Sequence, residues 1–179
     1  PASPGGRFLL LDNRLAWFYR KGMRSNCLFC SAQFQAQALH ENDHFYVLLD
    51  QNPVSCGHML IIPKRHMETY FELLPEETVD LHPAILAART LCHTDAVRTF
   101  YQEAIANPIS ETSTAWCREA LDQWNAPVTG YNIGINNGTG AGQTVMHLHI
   151  HLIPRHENDM PDPTGGVRFV IPERANYRK

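Results

Sequence analysis

The chain has 179 residues, 44% of them hydrophobic and 18% charged, with a formal net charge of −3. That length suits one domain with an appendage, and the slight negative charge supplies no global field for nucleic acid or an anionic membrane, so neither is expected as a partner. Five cysteines, an odd number without a recognisable secretion signal, favour a reducing, cytoplasmic setting with free or metal-bound thiols.

Residues 1–26 read as an N-terminal extension. Its first six residues, Pro-Ala-Ser-Pro-Gly-Gly, look like a flexible leader, and the apolar run at 8–11 is broken by Asp12 and Arg14 too soon for a signal core or a membrane span. Cys27-Leu28-Phe29-Cys30 follows. Such a pair brings two thiolates to one metal ion but leaves two tetrahedral positions to fill. Cys56, Cys92 and Cys117 are isolated, so the other ligands would be histidines. The competing readings are reduced structural cysteines or a redox pair, and a redox pair belongs at a βα junction of which the sequence shows no sign.

Residues 45–49 are a compact run of β-formers. Asn52-Pro53 interrupts it, Gly57 turns the chain, and residues 58–62 form a second strand ended by Pro63, which suggests an antiparallel pair. From Pro75 the pattern becomes helical. Pro75 suits a first turn, Glu76 and Glu77 suit the positive end of the helix dipole, and Leu81, Ile85, Ala88 and Cys92 recur at helical spacing. Pro83 is expected to delay or kink this helix. Asn107-Pro108 breaks the pattern and residues 113–124 read as a further short helix; the whole of 92–127 looks like an insertion.

Residues 131–135 make a third core strand, and residues 136–142, Asn-Asn-Gly-Thr-Gly-Ala-Gly, are a Gly-rich turn. Then His147, His149 and His151 alternate with Leu148, Ile150 and Leu152. Strict alternation reads as a half-buried strand with the histidines on one face and the aliphatic residues in the core. A rigid row of imidazoles suits a nucleophile, a proton relay or metal ligands, and is a poor way merely to solvate a strand. Glycines ahead of it let backbone amides approach an anion, with Gln143 and Thr144 as added side-chain donors, so the hairpin reads as a phosphate site. Residues 167–171 are expected to form a last strand within a C-terminal tail, 157–179. The fold class is α+β: an antiparallel sheet with helices packed on one side.

The segment Gly142-Gln143-Thr144-Val145-Met146-His147-Leu148-His149-Ile150-His151-Leu152-Ile153 resembles the His-φ-His-φ-His-φ-φ signature of the histidine triad family of nucleotide hydrolases and transferases. The resemblance covers roughly residues 27–156. Upstream, Asp50 and the run from His58 to His66 resemble the family's ribose-binding strand and its Gly-His-x-φ-φ-φ-Pro segment, and Asn136 stands where the family places an amide near the phosphates. The continuation Pro154-Arg155 is similar to the dinucleoside polyphosphate hydrolase branch; the Trp-Pro-Pro-Gly tail of the phosphoramidase branch is missing. The resemblance implies that His149 attacks the α-phosphorus to give a nucleotidyl-histidine, which water then cleaves. It implies that His147 and His151 hold phosphate oxygens or move protons, with His58 supporting the row. Gln143 and Thr144 would donate to α-phosphate oxygens, Asp50 would bind ribose hydroxyls, and apolar walls near residues 45–49 would sandwich the base. Bacterial members with a similar C-x-x-C complete a structural zinc site at positions matching His66 and His147. Members usually form homodimers.

The expected activity is therefore hydrolysis of a dinucleoside polyphosphate, such as a diadenosine polyphosphate, or of a related nucleoside 5′-phosphate ester. A phosphorylase or nucleotidyltransferase of the same family, and a nucleotide-binding protein with little catalysis, are the alternatives. A metallo-β-lactamase-like hydrolase would need His-x-His-x-Asp-His, and no Asp follows here. A DNA-repair deadenylase would need an added DNA-binding module, and the tail has no zinc-finger spacing. His40, His44, His82, His93 and His156 read as surface or satisfied histidines, with His44 notable for preceding the expected base wall.

Overall fold

A computed structural model describes residues 27–178; the expected leader and extension at 1–26 lie outside them. Five antiparallel strands form one sheet: β1 (His40–Glu41), β2 (Phe45–Leu49), β3 (Met59–Pro63), β4 (Val128–Ile135) and β5 (Ile150–His156), in the order β1-β2-β3-β5-β4. The strand that follows the histidines is thus central, between β3 and β4, where its register is held from both sides. Leu60 stands opposite His151, and Gly134 opposite His151 on the other side.

The two faces of the sheet are built differently. On one, Phe45, Val47, Met59, Ile61, Ile150 and Leu152 pack against Leu81, Ala84 and Ala88 of α2 (Pro75–Leu91). Helices α3 (Asp95–Ala106) and α4 (Glu111–Asp122) extend that layer through Val97, Tyr101, Cys117 and Ala120. On the other, Leu48, Leu60 and Ile62 meet Phe29 and Phe34, the latter from the single turn α1 (Ala32–Gln35). The antiparallel α+β fold, with its long helices on one side, is as the sequence predicts. The expected base wall divides, because neighbouring residues of a strand point to opposite faces. Leu48 and Tyr46 belong to the Phe29 side, while Phe45, Val47 and Leu49 join the helix-side core.

Three local expectations need correction. Pro83 does not delay α2, which runs from Pro75 through Leu91. Pro83 is exposed, so the carbonyl left without its N–H partner faces water, where the loss is small. The strand expected at 167–171 is a 3₁₀ turn, Gly166–Val170. Gly165 and Gly166 enter it with φ of +103° and +47°, which curls the chain, and Arg168 closes it by donating to the carbonyls of Ala175 and Arg174. The third concerns the histidine strand, whose ladder begins only at Ile150. Continuing the β3–β5 register would set Leu148 against Pro63, which has no N–H to give. Leu148 N–H donates instead to the Met67 carbonyl. His147 and His149 therefore sit just ahead of the ladder, His147 in a bend with its N–H donating to the Val145 carbonyl, and Leu148 still joins the helix-side core.

Candidate functional site

The histidine row forms as the alternation implies. Ring centroids lie 4.8 Å apart for His66–His147, 5.0 Å for His149–His151 and 5.1 Å for His58–His151. Phe29 stands edge-on to both His147 and His149, at 5.8 and 5.4 Å. The sequence reading missed Phe29; its place inside the C-x-x-C was the available clue.

Each ring's protonation follows from its partners. His149 Nδ1 lies 2.8 Å from the His147 carbonyl. A carbonyl only accepts, so Nδ1 carries a proton, and in the neutral ring the lone pair is on Nε2. His149 is 7% exposed. His58 receives the Val54 N–H at Nδ1, 3.3 Å away, which puts its own proton on Nε2, from which it donates to His151 Nδ1 at 3.0 Å. His151 then presents its Nε2–H. Burial, aided by the neighbouring rings, keeps these histidines neutral: His58 is pushed down to about 3 and His151 to about 4.

Asp50 closes this end of the row. One oxygen accepts from Asn52 N–H at 2.8 Å and the other lies 3.5 Å from His58 Nδ1. Burial raises its carboxyl above the ordinary carboxylate range. It is thus both a strand-end turn residue and a neighbour of the histidine row. Asn136 lines the same cavity as His58 and His151.

Gln143 departs from its expected use as a phosphate donor. Both amide hydrogens are spent on the carbonyls of Glu68 and Val145, at 2.8 and 3.1 Å, and its oxygen accepts the Gly138 N–H at 2.7 Å. Buried at 4% exposure, it braces the Gly-rich loop from within. Gly138 and Gly142 there have φ of +81° and +86°, a backbone that favours glycine. Thr144 is exposed beside it. His44 is turned away, its Nδ1 2.7 Å from Asp80 of α2.

At the opposite end of the row, Cys27, Cys30, His66 and His147 form a group that could hold a metal ion, their ligand atoms all within 4.8 Å of one another. His147 Nε2 donates to the Pro63 carbonyl at 2.9 Å, leaving Nδ1 to face Cys27 Sγ at 3.4 Å and Cys30 Sγ at 3.5 Å. His66 Nδ1 is 3.4 Å from Cys30 Sγ. A tetrahedral ion held at about 2.3 Å by sulfur and about 2.0 Å by nitrogen has S···N edges of about 3.5 Å, so donor set and spacing both fit. The Pro63 carbonyl fixes the tautomer of the ligand histidine, as such sites require. His147 thus has two offices: its ring belongs to the metal group and its carbonyl orients His149.

The family description "HIT domain" matches residues 31–158. Over 136 residues the chain is 31% identical to an uncharacterized HIT-like protein of Methanocaldococcus jannaschii, covering 74% of this chain and 81% of that one. Over 140 residues it is 33% identical to the adenylylsulfatase HINT3 of Arabidopsis thaliana, covering 76% of this chain and 56% of that longer protein. Among solved structures, a HIT family protein from Bacillus anthracis superposes with a TM-score of 0.50 at 27% identity, over 76% of this chain and 78% of that one.

Proposed function

The chain belongs to the histidine triad family, and from that premise we propose that it is a nucleotide hydrolase cleaving a dinucleoside polyphosphate, or a related nucleoside 5′-phosphate ester, at the α-phosphate. The observation that carries this reading is the His149 Nδ1–H to His147 carbonyl bond at 2.8 Å, which in the neutral ring puts the nucleophilic lone pair on Nε2. Nε2 forms a bond to the α-phosphorus, the bond to the leaving oxygen breaks and the electron pair departs with it. The imidazolium produced keeps its Nδ1 proton on a carbonyl already placed to stabilise it. Water then splits the nitrogen–phosphorus bond and frees the nucleoside monophosphate. His151 offers its Nε2–H to a phosphate oxygen or the leaving atom, and His58 restores that proton from behind.

Asn136, Thr144 and the backbone of the Gly-rich loop surround the phosphate, with Gln143 shaping that loop. Asp50 takes the ribose hydroxyls, and Leu48 with Phe29 offers an apolar wall to the base. Zinc is the ion we assign to Cys27, Cys30, His66 and His147; it supplies rigidity there and takes no part in bond breaking. The paired thiolates select a soft, tetrahedral cation. None of the five cysteines is in a disulfide, in keeping with a reducing cytoplasm. No helix among the described residues is long and apolar enough to cross a membrane. A homodimer is proposed on family grounds and from the exposed outer edge of β4.

The test is product analysis of a panel of dinucleoside polyphosphates in heavy-oxygen water, with and without inorganic phosphate. Label appearing in the released nucleoside monophosphate supports hydrolysis at the α-phosphorus. A nucleoside diphosphate formed only with added phosphate identifies a phosphorylase instead.

A further inference from the structure

Beside the catalytic row lies a cavity of about 670 Å³, within the range of small-molecule sites. Its inner end is His58 and His151, its floor includes Ile153 of β5, and Met160, Val167 and Phe169 of the C-terminal segment wall it in. The segment is seated on the sheet: Gly166 lies against Asn132, where a Cβ would come within 3.4 Å of its amide. Arg155 anchors the start of the segment, donating twice to Asp159 at 2.7 Å and once to Asn132 at 2.8 Å.

The charge of this chamber decides what it takes. Among the described residues Arg155 is the only one of Lys or Arg type in the lining, and Asp159, also in the lining, already neutralises it. The two histidines are held neutral by burial. A polyphosphate entering here would give up hydration and meet no unpaired cation among the described residues, which is costly. An uncharged apolar group would lose water from its own surface and from Ile153, Met160, Val167 and Phe169.

We propose that this chamber is the leaving-group subsite, and that the preferred substrates are nucleoside 5′-monophosphates esterified at the α-phosphate with a bulky apolar organic group. This rests on the reading of His149 as the nucleophile. For an aryl ester, the His149 Nε2–phosphorus bond forms as the phosphorus–oxygen bond breaks. The aryloxide leaves with the electron pair into the chamber and takes its proton from solvent, and water then releases the nucleoside monophosphate.

The experiment compares two substrates, the naphthyl ester of adenosine 5′-monophosphate and adenosine 5′-phosphosulfate, whose leaving group is small. Two variants alter the chamber: Ile153→Trp fills its floor, and Phe169→Glu places a charge in its outer wall. Each should lower kcat/KM for the naphthyl ester by about tenfold or more, on the scale by which pockets discriminate leaving groups, and leave the phosphosulfate within about twofold. Phe169 is 40% exposed, so its variant folds even if Ile153→Trp does not. Equal losses on both substrates, or no loss on the naphthyl ester, overturn the proposal. If wild type cleaves neither compound yet cleaves a dinucleoside polyphosphate, the subsite proposal falls and the hydrolase reading stands; if it cleaves none of the three, the hydrolase reading fails, and calorimetry on His149→Ala still decides the chamber. The naphthyl ester should bind about tenfold tighter than adenosine 5′-monophosphate, and Phe169→Glu should abolish the gain; equal affinities overturn the subsite.

Discussion

Replacing Cys30 with serine removes a proposed metal ligand that is 8% exposed and lies 3.4 Å from His66 and 3.5 Å from His147. The metal group joins three distant parts of the chain: the turn at 27–30, the segment after β3 and the approach to β5. Closing a loop of roughly a hundred residues, the span from Cys30 to His147, is worth about 5 kcal/mol in the chain-entropy description of cross-links. The domain keeps its own core without the ion, so Cys30→Ser should fold but lose about 3–4 kcal/mol. For a chain of this size that lowers Tm by about 10 °C. Because the His147 carbonyl orients His149, turnover should also drop by about tenfold, as when outer partners of a metal site are removed. The assay pairs calorimetric melting with elemental analysis, each with and without a chelator. Wild type should carry one zinc per chain, and in chelator it should melt with the variant. Wild type without zinc, or a variant that melts at the wild-type temperature while wild type ignores the chelator, would refute the reasoning.

Acid should destabilise the fold through the buried row. Below about pH 6.5 the unfolded chain binds protons on its histidines, whereas folded His58 and His151 stay neutral down to about 3 and 4; stability therefore falls as pH drops from about 6.5 towards 4. Denaturant midpoints measured across that window should fall, and His58→Gln should flatten the slope. Glu77, 3% exposed, accepts two hydrogen bonds from Arg65 at 2.8 Å and one from Leu74 N–H. Glu77→Leu strands the Arg65 guanidinium and should cost about 3 kcal/mol in a urea titration; a loss under about 1 kcal/mol would show the pair to be solvent-compensated. Light scattering at micromolar protein should report a dimer, and a monomer would remove the assembly proposal.

The parts of the fold legible in the sequence were those with one dominant cause. The alternation from His147 to Leu152 placed three imidazoles on one face because Leu148, Ile150 and Leu152 all had to be buried, and they are. The C-x-x-C gave two thiolates, and the family resemblance supplied His66 and His147, the partners the structure brings within reach. What escaped depended on contacts between distant segments. Gln143 looked like a free donor because nothing in its neighbours announces that Glu68 will claim its amide. Residues 167–171 have strand composition, but two preceding glycines and the Arg168 bonds to Arg174 and Ala175 curl them. The chamber needs Ile153 and Phe169 to line one cavity, a juxtaposition that no local pattern encodes. Phe29 fell within a motif read only for its sulfurs, though its ring packs on two of the histidines.

The central claim is that His149 is the atom-bonding nucleophile. Rapid quenching with substrate labelled at the α-phosphate tests it directly. Wild type should trap an acid-labile phosphohistidine on the peptide containing residues 147–151. His149→Ala should trap none and lose several orders of magnitude in turnover while still binding nucleotide, since the ribose and base contacts assigned to Asp50, Leu48 and Phe29 remain. His151→Ala should lose less, because it removes an assisting proton and leaves the bond-forming nitrogen. Label on another residue, or near-wild-type turnover in His149→Ala, would contradict the account.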